Sequence, residues 1–122
     1  MPNSRPKIYD LEERTFQFAK EVALFLKTLS NSPSNIEYGK QLIRSSASVG
    51  ANYIEANEAL GKKDFKMRIR ICRKEAKETA YWLKLIQEIN DQSIFSTTTK
   101  LFNEAIELKK IFSSIIEKSL DS

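Results

Sequence analysis

The sequence contains no histidine and only one cysteine among its 122 residues, and both shortages restrict its chemistry. Cys72 cannot form an internal disulfide, and no imidazole is present to activate it as a nucleophile. The Glu-x-x-His motifs that hold two metal ions inside helical bundles are missing as well. Glycine and proline, at three residues each, are too scarce for a sheet protein with many hairpins. The sequence therefore favours helices and gives little support to cysteine or metal catalysis.

Long apolar segments are also lacking. No run approaches the roughly 20 residues that span a bilayer, no apolar leader follows Met1, and no glycine-rich phosphate loop is present. Hydrophobic residues nevertheless make up 41% of the chain, which is too apolar for a disordered protein. We therefore expect one cytoplasmic, all-α domain over residues 10–120. A flexible N-terminal arm with two prolines is expected at residues 1–9.

Four stretches have apolar side chains at alternating three- and four-residue spacing, which is typical of amphipathic helices. The predicted helices cover about residues 11–30, 34–60, 64–89 and 100 onward, with a connection at 90–99. Asp10 and Ser34 are predicted to begin capping boxes at the starts of the first two helices, and Gly61 is predicted to cap the end of the second. Short connections between long helices predict an antiparallel four-helix bundle.

The second predicted helix has small residues along its predicted core-facing seam. That seam comprises Ile36, Gly39, Ile43, Ala47, Gly50 and Ile54. Each interior glycine costs about 1 kcal/mol against alanine, so close approach of a neighbouring helix is the expected compensation. Further apolar residues lie beside the seams of the other helices, among them Ala19, Trp82 and Phe102. These either widen the core or form a surface hidden by self-association.

An ordered string of residues in the middle of the chain resembles a known family. It consists of QLIRSSASVGAN at 41–52, EA at 55–56, KKDF at 62–65 and KEAKETAYWL at 74–83. The string resembles the bacterial four-helix-bundle proteins of the 23S rRNA intervening sequences. The resemblance implies an up-and-down bundle that assembles into a homopentameric, barrel-like ring. A similar fold is used by the accessory variability determinants of diversity-generating retroelements, which bind nucleic acid and a reverse transcriptase.

Positive charge is concentrated at 62–77, where eight cationic and two acidic side chains give +6. The whole chain carries +4, so the other residues carry −2. Five of these cations recur at three- and four-residue spacing on one face of the predicted third helix, and Lys84 continues that face one heptad later. They are Lys63, Lys66, Arg70, Arg73 and Lys77, and we call them the basic stripe. The stripe predicts contacts with the phosphates of RNA or DNA.

The alternative interpretation of the basic stripe is a solvated helix face whose charges are paired with acids on adjacent helices. The candidate acids are Glu12, Glu13, Glu104 and Glu107. Stability alone does not favour the stripe, because cations near a helix N-terminus oppose the macrodipole and repel one another at four-residue spacing.

A second polar cluster is predicted between helices two and three. It consists of Arg44, Asn52, Glu55, Glu75 and Glu78. Inward-facing carboxylates in a bundle suggest two metal ions, but the absence of histidine favours a structural polar network in which Arg44 compensates the acids. We therefore predict no metal site and no cofactor.

Three reactive or aromatic side chains have competing interpretations. Cys72 lies on an apolar seam and is predicted to be an inert, buried thiol. Tyr81 and Trp82 either stack on nucleic-acid bases or pack within the protein, and Trp82 shares an apolar stripe that favours packing.

The prediction for function is a non-enzymatic, homo-oligomeric helical scaffold that binds nucleic acid non-specifically through the basic stripe and makes no contact with membranes. The alternative is a protein–protein interaction module, or an accessory subunit, with no direct nucleic-acid contact. In that case the charge sets only solubility and orientation.

Overall fold

A computed structural model describes residues 10–120, without the side chain of Leu120, so the predicted arm at 1–9 lies outside the described residues. The helices are α1 (Leu11–Leu26), α2 (Pro33–Asn57), α3 (Lys62–Ile89) and α4 (Phe95–Leu120). No strand occurs within 10–120, and the predicted all-α four-helix bundle is confirmed. Within residues 10–120, no helix combines the length and the hydropathy of a membrane-spanning segment.

Contacts between successive helices show that they run antiparallel. Side chains late in α3 meet the start of α2 and the start of α4, and the end of α1 meets the start of α2. The pairs are Trp82 with Tyr38, Gln87 with Thr98, and Leu26 with Gly39. The bundle therefore places α3 between α2 and α4, with its remaining face toward solvent.

The start of α2 differs from the predicted capping box at Ser34. Ser32 is the N-cap, and its side-chain oxygen accepts a hydrogen bond from the backbone N–H of Asn35. Pro33 follows at the first helical position, where its fixed φ suits the helix and its missing N–H is no loss. The prediction was wrong because Ser32 and Ser34 are both residues of a type that caps helix N-termini. Pro33 favours Ser32, because proline is preferred at the first helical position, directly after the N-cap.

The other ends also differ from the sequence prediction. Helix α1 ends at Leu26, before the predicted residue 30, and α2 ends at Asn57. Gly61 is the N-cap of α3 with an extended backbone, φ −156°, and Glu58 is the C-cap of α2, so the predicted role of Gly61 as the C-terminal cap of the second helix is wrong. Helix α4 begins at Phe95, directly after a 3-10 turn at Gln92–Ile94 whose Asp91 side chain accepts from Ser93 N–H at 2.9 Å.

The buried face of α2 is not the predicted isoleucine seam. The buried residues of α2 are Asn35, Gly39, Leu42, Ser45, Ser46, Val49 and Ala56. Of the predicted seam only Gly39 is buried and Gly50 half-buried, whereas Ile36, Ala47 and Ile54 are exposed. Helix α2 carries apolar residues on two faces, and the face with serines packs more closely because its side chains are small.

Two polar pairs link α2 to α3 and to the residue that follows α3. In the core, the hydroxyl group of Thr79 donates a hydrogen bond to Oγ of Ser45 at 2.8 Å. At the end of the bundle the side-chain amides of Asn35 and Asn90 bond reciprocally, at 3.0 and 2.9 Å. These pairs satisfy polar groups that burial would otherwise leave without partners.

A bidentate ion pair links α1 to α4. Arg14 donates from Nε and Nη2 to the two carboxylate oxygens of Glu104, at 2.7 and 2.9 Å. These hydrogen bonds raise the pKa of the Arg14 guanidinium above its usual value. The pair closes the fourth side of the bundle.

Candidate nucleic-acid interface

The basic stripe lies along the face of α3 that points away from the core and toward α4. Lys63, Arg70 and Lys77 are exposed, and Lys66 and Arg73 are half-buried. Within residues 10–120, none of the five makes an ion pair or a side-chain hydrogen bond. The stripe therefore presents uncompensated positive charge to solvent.

The acids that were considered as partners for the stripe are placed elsewhere. Three of them accept hydrogen bonds from other side chains, and Glu107 lines the cleft between α1 and α4. The three contacts are Glu104 with Arg14 at 2.7 Å, Glu12 with Asn57 at 2.7 Å and Glu13 with Gln17 at 2.8 Å. Pairing with these acids is therefore not what positions the basic side chains.

A groove between α3 and α4 adds residues that the spacing on α3 could not reveal. Its cavity, of about 540 Å³, is lined by Arg70, Arg73, Lys74, Lys77, Lys109 and Ser113. Lys109 and Ser113 belong to α4, and their proximity to the stripe follows only from how the two helices pack. The groove thus combines five cations with a hydroxyl donor, which are the groups that bind phosphate oxygens.

A second cavity between α3 and α4 lies nearer the C-terminal end of α3. It has a volume of about 230 Å³ and is lined by Lys84, Gln87, Thr99 and Phe102. Lys84, which continues the face of the stripe in the sequence, therefore also lies against α4.

The predicted polar network is brought together in part, on the opposite side of α3 from the groove. Arg44 donates to Glu75 at 3.4 Å and to Glu78 at 3.0 Å. Glu75 is the buried member, so its charge is compensated by a half-exposed arginine. No cluster of three or more histidine, cysteine or acidic residues that could hold a metal occurs in the described range.

The remaining two members of the predicted network are separate from Arg44. Asn52 accepts a hydrogen bond from Arg68 at 3.0 Å and donates to the carbonyl of Ser48 at 2.9 Å. Glu55 is exposed and joins neither group. The cluster is thus two bridges between α2 and α3, because residues 52 and 55 lie two to three turns beyond Arg44 along the helix.

Cys72 is fully buried between the apolar residues of α3. Burial raises the pKa of its thiol to about 12. The side chain is therefore a neutral thiol at physiological pH, whereas nucleophilic attack requires the thiolate.

The two aromatic residues that could stack on bases have different environments. Trp82 is half-buried and packs on Tyr38, with ring centroids 5.8 Å apart. Tyr81 is 60% exposed, and its ring stands edge-on to Trp82 with a centroid distance of 5.0 Å and an interplanar angle of 74°. Trp82 therefore has a packing role, and Tyr81 remains available to a ligand.

An apolar surface lies on the other side of the bundle, along the outer groove between α1 and α2. We call it the apolar strip, and it consists of the exposed residues Ile36, Ile43, Ala47 and Ile54, which share one face of α2. The three isoleucines are 44 to 50% exposed. The groove beside Ile36 and Ile43 is also lined by Leu26 and Leu29, with a volume of about 270 Å³.

Comparison with known proteins agrees with this architecture. The chain matches the family described as 23S rRNA-intervening sequence protein over residues 9–114, and no curated protein matches it. A similar solved structure is that of a protein with unknown function from the S23 ribosomal protein family of Bacteroides thetaiotaomicron VPI-5482. The sequences are 33% identical, the TM-score is 0.76, and the match covers 86% of this chain and 96% of that one. The chain therefore belongs to the 23S rRNA-intervening sequence protein family.

Proposed function

We propose that this protein is a non-enzymatic, homo-oligomeric scaffold that binds nucleic acid non-specifically through the basic stripe of α3. The observation that carries the proposal is that five regularly spaced cations have no acidic partner within the described residues. When these side chains bind the phosphates of a nucleic acid, they would displace its condensed counterions. The release of those ions gives affinity without base selectivity.

The test is charge reversal at the centre of the stripe. The double variant Arg70→Glu/Arg73→Glu is expected to abolish binding to a generic RNA and to a generic DNA at low salt. For the unaltered protein, the logarithm of the binding constant should fall linearly with the logarithm of the salt concentration. Fluorescence anisotropy of a labelled oligonucleotide measures both effects, and circular dichroism checks that the helices are retained.

A matched control separates local contacts from net charge. Lys20→Glu/Lys27→Glu reverses two exposed lysines, one on α1 and one at its C-cap, away from the stripe. Both double variants change the net charge from +4 to 0, since each reversal removes two units. The control should keep most of the affinity. Equal losses in the two variants, or binding that survives at Arg70→Glu/Arg73→Glu, would contradict the stripe as the binding surface.

The apolar strip supports the oligomeric part of the proposal, because small monomers rarely leave such residues grouped on one surface. We propose a pentamer, following the family resemblance. Ile43→Glu is expected to lower the mass measured by light scattering toward the 14.1 kDa of one chain. Leu60→Glu alters a fully exposed leucine outside the strip and should leave the mass unchanged.

The same strip also favours a second candidate function, a protein–protein interaction module without nucleic-acid contact. In that case the strip binds a different protein, and the purified protein is a monomer that fails to bind oligonucleotides at low salt. A protein partner that is retained after nuclease treatment and lost with Ile43→Glu would favour this alternative.

A further inference from the structure

The groove between α3 and α4 carries positive charge on both of its sides. Its basic section is bounded on one wall by Arg73 and Lys77 of α3 and on the other by Lys109 of α4. The face continues to Lys84, and the helix axis from residue 70 to residue 84 spans about 21 Å at about 1.5 Å per residue. Positive charge thus lines a channel with two walls.

Tyr81 lies on the solvent-exposed face of α3, beside the basic groove, although it does not line the cavity itself. It follows Lys77 by four residues and precedes Lys84 by three, so the three side chains lie above one another on the helix surface. The ring is largely exposed, although it contacts Trp82 edge-on, and Trp82 is itself packed on Tyr38. The exposed ring of Tyr81 is thus supported by its contact with Trp82 and lies between Lys77 and Lys84 along the helix.

From this arrangement we infer that the ligand of the groove is single-stranded nucleic acid, which stacks a base on Tyr81. The inference rests on the proposed function of the basic stripe and adds the form of the ligand and two binding residues, Tyr81 and Lys109. A base can stack on a protein ring only when it is not already stacked and paired within a duplex. A basic groove with an aromatic platform is therefore better matched to a single strand.

The chemistry of the groove accepts either RNA or DNA. Arginine, lysine and serine side chains contact the phosphates that the two polymers share, and every base offers a face for stacking. The 2′-hydroxyl is the group that distinguishes RNA from DNA. Comparing oligouridine with oligothymidine of equal length therefore tests which polymer is preferred.

Trp82 provides an intrinsic signal for the test, because it is the only tryptophan in the chain and contacts Tyr81. The unaltered protein is titrated with oligouridine, oligothymidine, a duplex of the same length and inorganic polyphosphate. The single strands should bind more tightly than the duplex and change the tryptophan emission. Polyphosphate, which has no bases, should bind without that change.

Substitution of Tyr81 tests stacking separately from charge. Tyr81→Leu is expected to weaken binding of the single strands about tenfold, as for the loss of one base–aromatic stack, and to leave polyphosphate affinity unchanged. Tyr81→Phe keeps the ring and should keep the affinity. Loss of polyphosphate binding with Tyr81→Leu, or unchanged binding of the single strands, would overturn the stacking role.

Two neighbouring lysines test the second wall of the groove. Lys109 lines the groove, whereas Lys110 is exposed and does not. Lys109→Glu should therefore weaken single-strand binding several-fold more than Lys110→Glu, although the change in net charge is identical. Equal effects would show that α4 is not a wall of the site.

The outcomes separate this inference from the function on which it rests. If Arg70→Glu/Arg73→Glu abolishes binding, but duplex and single strand bind equally and Tyr81→Leu has no effect, the basic stripe stands and the single-strand groove is wrong. If the double reversal leaves all binding intact, both are wrong. Failure of every polyanion to bind at low salt also overturns both.

Discussion

A Cβ atom added at Gly50 would lie 2.9 Å from Oγ1 of Thr15 and 3.2 Å from its Cβ. Thr15 is buried, and its hydroxyl donates to the carbonyl oxygen of Leu11 at 2.9 Å, so the side chain has little freedom to move away. Helices α1 and α2 therefore approach so closely at this point that a residue larger than glycine would have to displace Thr15. The close approach that the small residues of α2 predicted occurs at Gly50.

Gly50→Ala should consequently destabilise the protein. Inserting a methyl group into a tight contact costs about 1–3 kcal/mol, whereas alanine gains about 1 kcal/mol over glycine inside a helix. We expect the free energy of unfolding to fall by about 1 kcal/mol net. Urea denaturation followed by circular dichroism measures the difference.

Gly39→Ala is the matched control for this substitution. The nearest atom to an added Cβ is Cδ2 of Leu26, at 3.4 Å, and it is the far end of a flexible side chain. Stability should therefore stay the same or rise by up to about 1 kcal/mol. If both variants lose stability equally, the contact with Thr15 is not what requires glycine.

Glu104→Gln should weaken the attachment of α1 to α4. The substitution removes the charge from an ion pair in which the Arg14 side chain is only 17% exposed. A hydrogen bond to a charged group contributes about 1.5–3 kcal/mol, and partial exposure reduces this, so a loss of about 1–2 kcal/mol is expected. The comparison is Glu37→Gln, which removes an exposed pair with Lys40 and should cost less than about 0.5 kcal/mol. Similar losses in the two variants would contradict a special role for Arg14.

The reciprocal amide pair of Asn35 and Asn90 should also be measurable. Asn90→Ala leaves the buried amide of Asn35 without two of its bonds, and an unsatisfied buried group costs about 1–3 kcal/mol. Asn103→Ala alters an exposed asparagine on α4 and should change stability by less than about 0.5 kcal/mol. A thermal shift of equal size in both would mean that the amide pair contributes nothing.

The number and type of the helices could be predicted from the sequence, because the apolar residues spaced three and four apart in α1, α3 and α4 are the ones that face the core. The prediction was wrong for the orientation of α2, where Ile43 and Ile54 suggested the core but Ser45 and Ser46 occupy it. Hydropathy favours isoleucine in the core, whereas the narrow space between neighbouring helices selects small side chains. A helix with two apolar faces cannot be oriented from periodicity alone.

The residues of the candidate interface could likewise be predicted from the sequence only in part. The stripe on α3 follows from helical spacing, since residues three and four apart share a face. The contribution of Lys109 from α4, and the separation of Asn52 and Glu55 from Arg44, depend on which turns of two helices meet. Local sequence carries no information about that register, so these features required the tertiary structure.

The thiol of Cys72 should be inert until the bundle opens. Burial raises the pKa of this thiol from 9.0 to about 12, so the folded protein holds the proton more firmly than the unfolded chain does. The stability that this difference contributes is present in full below pH 9 and is lost as the pH rises from about 9 to 12.

At pH 8, labelling of Cys72 by a thiol reagent should be slower than in denaturant by roughly a thousandfold or more, because it requires opening of the core. Gly50→Ala should raise that rate about fivefold if opening is global, since it removes about 1 kcal/mol of stability. Rapid labelling of the native protein would show instead that Cys72 is reached through local motion of α3.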